Sequence, residues 1–378
     1  MVKNTTDADS WYIFDVMRGM VVAGTDDAAL RADSSLAETG TSGERAISPT
    51  PTGFKVTTNQ GWINNNNANL IYIAIRRGTA VPTSATDVFN DTYQYNVDGK
   101  TAGYLGSPAD LDIRIDKTGG GSLVRDRLRG DLYLRTQATD AEAGSQSSTW
   151  DNMTGYFYYS PGTSANTNII HYVWKRAPKY MDVVAYTGNG TAGRTVSHNL
   201  GVAPEMMWVK RRNSSGNWYT YHSGANSTAP EDFFLEMNEN GVPLNDVRAW
   251  NDTAPAASVF SVGTANETNG NGDTFIAYLF ATLTGISKVG SVTHSGTTNV
   301  DCGFTSGARF VLLKRTDASG DWYVWDSVRG IVSGNDPYLL LNTTGAEVTN
   351  TDYIDPLSSG FTITDDFTDG DYIFYAIA

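Results

Sequence analysis

Residues 314–330 read KRTDASGDWYVWDSVRG, and the chain writes this stretch four times. Laid over itself without gaps, the sequence aligns it with KNTTDADSWYIFDVMRG at 3–19, RIDKTGGGSLVRDRLRG at 114–130 and KRRNSSGNWYTYHSGAN at 210–226. A basic residue opens each copy (Lys3, Arg114, Lys210, Lys314), a turn rich in Gly, Asn, Asp and Ser follows, and a short apolar run ends at Asp15, Asp126, His222 or Asp326. Spacings of 111, 96 and 104 residues imply tandem modules. The boundaries expected from them are 1–79, 80–177, 178–284 and 285–378, each a size that can hold its own core.

The segments after the repeat align as well. An apolar run centres on Leu30, Leu134, Leu235 or Leu339. A strand is then predicted to open at Gly53-Phe54, Gly155-Tyr156, Val259-Phe260 or Gly360-Phe361, with alternating apolar positions. Each copy closes on a β-rich run: LIYIAIRR at 70–77, IIHYVWKR at 169–176, FIAYLFA at 275–281 and YIFYAIA at 372–378. These closing runs are apolar on both faces of the alternation, as a strand central to a sandwich should be. No long window carries a 3.6-residue period between capping signals, so helices are expected to be single turns. The fold class is all-β: four tandem β-sandwich modules, set as a rod because the links at 78–86, 176–180 and 282–288 are short. The first module is truncated, since Met1 stands only ten residues before Trp11, inside an expected strand. Either more chain lies upstream or another subunit supplies the missing strands, because an open strand edge recruits partners.

The net charge of −14 disfavours nucleic acid as a partner, which needs clustered Lys and Arg. One cysteine, Cys302, excludes a disulfide framework. No stretch reaches the length of a transmembrane helix, and MVKNTTDADSW lacks the apolar core of a signal peptide, so no membrane insertion is expected.

Three copies share an Asp, an Arg three residues later, and a downstream Glu: Asp15, Arg18 and Glu38; Asp126, Arg129 and Glu142; Asp326, Arg329 and Glu347. The third copy departs at all three places, with His222, Ala225 and Pro243, which suggests that the three side chains touch. An Arg bridging two carboxylates would pin the loop to the sheet, as its planar fork allows. The functional alternative is a polar ligand site or a glycosidase-like carboxylate pair, but an intervening Arg holds both acids ionised and works against a general acid. The four histidines, His171, His198, His222 and His294, do not pair at metal-ligand spacing, and no nucleophile elbow is present, so no catalytic residue and no cofactor are assigned. Asp365, Asp366, Asp369 and Asp371 in DDFTDGD form a weak Ca²⁺ candidate beside the plainer reading of a hairpin turn. Aromatics recur in the repeat at Trp11, Trp218 and Trp322; one strand face is left for a sugar ring or a neighbouring subunit. The second copy has Ser122 there, which weakens the sugar reading.

The pattern Trp-x-x-x-Asp-x-x-Arg-Gly, followed by Gly-Phe and a terminal Tyr-Ile-x-x-Ala-Ile, resembles a module of tail-fibre and other virion structural proteins of bacteriophages, marine ones especially. The third copy, with NWYTYHSG and TFIAYLFA, resembles a second variant of that module. The resemblance implies a non-enzymatic component located in the virion: a tail fibre or surface appendage contacting the bacterial cell, homo-oligomeric with a trimer favoured. Other virion proteins and host surface polysaccharide are the partners it brings. The alternatives are a capsid or neck decoration protein and a polysaccharide-degrading tailspike.

Overall fold

The computed structural model describes the chain except residues 23–26, 39, 41–45, 59–60, 66, 77, 98–99, 145–147, 151–154 and 159–165, and except the side chains of 95–104, 148–149 and 156–158. Arg77, the end of the first closing run, thus lies outside the described residues. The protein is all-β, built of antiparallel sheets, and the three short α-helices among the described residues have four residues each.

One strand order recurs. In the third copy Met181–Thr187 pairs with the closing strand Thr274–Phe280, which pairs with Met206–Arg211, then Tyr219–His222, then Phe233–Glu236. In the fourth, Ser287–His294, Gly370–Ile377, Phe310–Arg315, Trp322–Asp326 and Leu339–Leu340 follow in the same order. The second copy runs Phe89–Val97, Asn166–Trp174, Leu111–Asp116 and Gly121–Asp126, and its sheet continues beyond Phe89–Val97 into Lys100–Tyr104 and Gly155–Tyr158. The first copy has Leu70–Tyr72, Val2–Asn4, Tyr12–Ile13 and Leu30–Arg31, with no strand among the described residues on the outer edge of Leu70–Tyr72. Strands begin at Gly53, Gly155, Val259 and Gly360 as the alternation predicts.

The gapless alignment needs one correction. Lys3, Lys210 and Lys314 face Ile71, Ile276 and Ile373 of the closing strands, but in the second copy it is Ile115 that faces Ile170. The hairpin between Asp116 and Gly121 is one residue shorter, so Arg114 does not occupy the lysine position.

The main sheets of the third and fourth copies bury both faces. In Phe310–Arg315, Val311 and Leu313 point into a sandwich core with Trp325, Phe361 and Phe374 beneath Thr298–Asp301 and Gly360–Ile363. Phe310 and Leu312 point the other way, as the two-residue period requires. Met206–Arg211 divides likewise, Met207 and Val209 inward and Met206 and Trp208 outward. The outward faces of the second, third and fourth copies meet in one core that holds Trp174, Trp208, Trp218, Phe280, Phe310, Trp322 and Tyr375. Phe310 lies 5.4 Å from Phe89, 5.7 Å from Trp174 and 6.2 Å from Tyr375, centroid to centroid. At roughly 1.5–3 kcal/mol for each large apolar side chain taken out of water, this shared core is a major source of stability.

The expected rod is therefore not formed. The short links reverse the chain instead of extending it: Ala177 bridges Met181 and Leu283 bridges Ser287, each pair exchanging two backbone hydrogen bonds. Lys179 (φ 64°) and Gly285 (φ 74°) take the left-handed position of these matching turns. The sandwiches that follow are thrown back onto their predecessors, and three sheets close into a ring. The first copy is attached at the side, where Val22 N–H donates to Leu128 O at 2.6 Å and the Arg212 guanidinium donates to Val22 O at 3.4 Å.

Candidate functional site

The repeated Asp and Arg sit at the tight turn that ends the second strand of the repeat. The Arg129 and Arg329 backbone N–H groups donate to Asp126 and Asp326 at 2.9 and 2.8 Å, and each guanidinium pairs with its own aspartate. A second guanidinium nitrogen donates to Val124 O at 3.0 Å and to Val324 O at 2.8 Å. Arg18 repeats this with Asp15 at 2.6 Å and Ile13 O at 3.2 Å. Five donors in a rigid fork make Arg suited to clamp both a carboxylate and a strand end.

The downstream Glu behaves differently from copy to copy. Arg18 reaches Glu38 at 3.2 Å and Arg329 reaches Glu347 at 3.4 Å, so both bridge two acids as expected. Glu142 instead accepts two hydrogen bonds at 2.8 Å from Arg212 of the third copy, so the expected Arg129 to Glu142 bridge is corrected to a contact between copies. Glu347 likewise pairs with Lys117 of the second copy at 3.1 Å. Lys117 and Arg212 occupy equivalent places once the shorter hairpin is allowed for. In the remaining interface Pro243 replaces the acid and Thr316 stands at the equivalent of the cation, so neither charge is left behind.

A third partner was not singled out from sequence. Tyr278 of the third copy donates its hydroxyl proton to Asp126 at 2.7 Å and accepts from Arg129 at 3.0 Å. Tyr172 of the second copy does the same to Asp326 at 2.8 Å and Arg329 at 3.1 Å. Tyr375, the matching residue of the fourth, lies in the strand that faces His222; there the His222 Nε2–H donates to Phe374 O at 3.1 Å while Nδ1 accepts from Gly224 N–H at 3.0 Å. The signal was present: Tyr172, Tyr278 and Tyr375 share one column of the closing runs, and the first copy has Ile73 in it.

The same cyclic order governs other contacts. Trp218 donates to Arg135 O at 2.8 Å and Trp322 to Glu236 O at 3.2 Å, so the open aromatic face is covered by the next copy of the same chain. The opening lysines, fully buried, reach across as well: Lys210 donates to Thr139 O at 3.1 Å and Lys314 to Gly241 O at 2.8 Å.

Electrostatics follow from burial. Desolvation opposes the charges of Arg129 and Arg329, but their aspartates outweigh it and raise both pKa values. Burial raises Tyr172 and Tyr278 far above the ordinary tyrosine value, so both hydroxyls stay protonated as donors. Burial lowers His222 to about 4, against the hydrogen bond to Phe374 O, and the imidazole is neutral. Burial, helped by the neighbouring charge of Arg211, lowers Lys210 to about 8, and burial raises the Cys302 thiol to about 12. Asp126 and Asp326 have no exposed surface.

Among the described residues no group of three or more His, Cys, Asp and Glu could hold a metal ion. The Ca²⁺ candidate resolves into a hairpin clasp: Asp371 accepts from Thr293 at 2.6 Å and Asp369 from Gly296 N–H at 3.0 Å, while Asp365 and Asp366 face solvent. His171 is held by Asp112 at 2.8 Å and His198 by Ala256 O at 3.0 Å, each a buried structural contact. A cavity of about 680 Å³, lined in part by Phe14, Met17, Ile73, Arg127, Leu128 and Met181, lies where the first, second and third copies meet. No helix among the described residues is long and apolar enough to cross a membrane.

The fold and the site define an all-β protein whose repeated charged residues join one copy to the next. The chain belongs to the family described as Domain of unknown function (DUF7483), which it matches over residues 151–378. No curated protein and no solved structure matches it.

Proposed function

We propose that this chain is a non-catalytic structural protein of a bacteriophage virion, built of four tandem β-sandwich modules and serving as a tail fibre or surface appendage that contacts the bacterial cell. One observation carries the scaffold part of this reading: the acids that the sequence offers as candidate chemistry, Asp126, Asp326, Glu142 and Glu347, are engaged in joining copies. The likeness of the Trp-x-x-x-Asp-x-x-Arg-Gly pattern to tail-fibre modules supports the virion part. A second reading, a capsid or neck decoration protein, is favoured by the exposed apolar residues Ile71, Tyr72, Ile73, Ile75 and Val81, which suit packing against other particle proteins.

Antibody against the purified chain, imaged on intact particles, tests both. Label at fibre tips together with blocked adsorption is the expected result, and label on the capsid or neck selects the second reading. Absence of label from particles overturns both. Release of reducing sugar from host polysaccharide by the purified chain would overturn the non-catalytic assignment.

A further inference from the structure

Where the second, third and fourth copies meet, buried sheet faces fill the space between them. The first copy meets its neighbours differently. Asn199 Nδ2 donates to Pro51 O at 2.7 Å and the Arg127 guanidinium reaches the Met17 sulfur at 3.2 Å, and these four residues line the cavity of about 680 Å³. Protein interiors leave few voids larger than a water, and this one holds roughly twenty times the space that one water takes. Its size falls within the ~300–1,000 Å³ of small-molecule sites.

The walls are apolar, and packing elsewhere holds them in place. Phe14 and Ile47 belong to the first copy's core and Met181 and Val183 to the shared core, while Met17 and Met20 are partly covered. Methionine side chains, unbranched and polarisable, adapt to an apolar guest. The charged side chains of the lining are compensated, with one exception. Arg176 pairs with Asp182 at 2.7 Å, Arg127 with Asp110 at 3.6 Å, and Asp15 with Arg18 at 2.6 Å. Arg76 lines the cavity yet is exposed, which sets it at the mouth. Among the described residues its guanidinium meets only the neutral Asn199 Oδ1, at 3.1 Å. That bond occupies one Nη1 hydrogen, and the rest of the planar fork suits a carboxylate.

We propose that this cavity binds one monoanionic amphiphile: a carboxylate on Arg76, carried by an unbranched apolar chain that lies among Phe14, Met17, Met20 and Met181. The single uncompensated charge sets the sign and valence of the guest, and the walls set the character of its body. The site lies within one chain, so it depends neither on the virion assignment nor on a partner chain.

Titration calorimetry of the full chain with decanoate, and with decanol as its neutral counterpart, tests this. The parent should take up one decanoate per chain, saturably and about tenfold more tightly than decanol, as one charge-assisted contact provides. Arg76→Gln should erase that preference and leave decanol binding unchanged. Because Arg76 is exposed, the variant's circular dichroism should match the parent's. Ala74→Trp, at another exposed lining position, should fill the space and weaken both ligands by about tenfold or more. Absence of saturable binding by the parent overturns the proposal. So does a preference for decanoate that survives Arg76→Gln, or binding of both ligands that Ala74→Trp leaves untouched.

Discussion

At the scale of the residue, the same ion pair occurs in two dielectric settings within one chain. The side chains of Arg329 and Asp326 are wholly buried, whereas Asp15 keeps 43% and Glu38 44% of its side-chain surface in water. Arg329→Ala leaves Asp326 charged in a dry site and Tyr172 short of one partner, so it should cost about 3–5 kcal/mol in urea unfolding. Arg18→Ala should cost only about 0–1 kcal/mol, since solvent already screens that cluster; equal losses would contradict the burial argument. His222 adds a pH dependence with a definite sign. Its folded-state pKa of about 4 lies below the ordinary 6.5, so the unfolded chain takes up a proton first as pH falls. Stability from the neutral imidazole is fully present above pH 6.5 and is lost between there and about pH 4, by up to about 3 kcal/mol. Relative to His222→Gln, the parent should lose ground over that window, and a difference in urea midpoint that stays flat with pH would contradict it. The Asp and Arg of each cluster were legible in the sequence because they recur three residues apart. Their tyrosine was marked only as a repeated column of the closing runs, and its meeting with the Asp and Arg was not legible, since it arrives from another copy.

At the scale of the element, the turns that link the sandwiches decide the architecture. Short links are compatible with a rod or with a reversal, and length alone does not distinguish them. What distinguishes them is a left-handed residue, Gly285 in one link and Lys179 in the other, followed by a two-bond bridge. Glycine tolerates that conformation, while a lysine holds it at a cost of about 1–2 kcal/mol. Lys179 is exposed on its side chain and its backbone N–H donates to Leu200 O, a bond that glycine keeps. Lys179→Gly should therefore stabilise the chain by about 0.5–1 kcal/mol net of the extra backbone entropy, measured as a raised denaturant midpoint. A lowered midpoint would mean that the turn is not under the strain its φ implies. The strands themselves were readable: Gly360-Phe361 and its counterparts open strands, and the closing runs are central strands in the third and fourth copies. Apolarity on both faces of those runs was also visible. In the sequence it is the mark of a central sandwich strand, but one sandwich uses only one such face, and the second face of TFIAYLFA and YIFYAIA packs between copies.

At the scale of the whole molecule, a ring and a rod differ in how far damage travels. In a rod of separate sandwiches, each core melts alone and a cavity in one leaves the others intact. Here Phe310 of the fourth copy touches Phe89, Tyr172 and Trp174 of the second and Tyr375 of its own sheet, and the shared core extends through Phe280 and Trp208 of the third. Removing the ring should open a cavity at the meeting point of three sheets, which cannot collapse without moving all of them. Phe310→Ala is expected to cost about 3–5 kcal/mol, and the cost should be felt in all three copies. Amide exchange reads this directly: protection should fall together in Asn166–Trp174, Thr274–Phe280 and Gly370–Ile377, while Val2–Asn4 in the side-mounted first copy changes little. Loss confined to Gly370–Ile377 and its own neighbours would mean that the copies unfold as independent units, and the shared core would then be a contact surface with little cooperative weight.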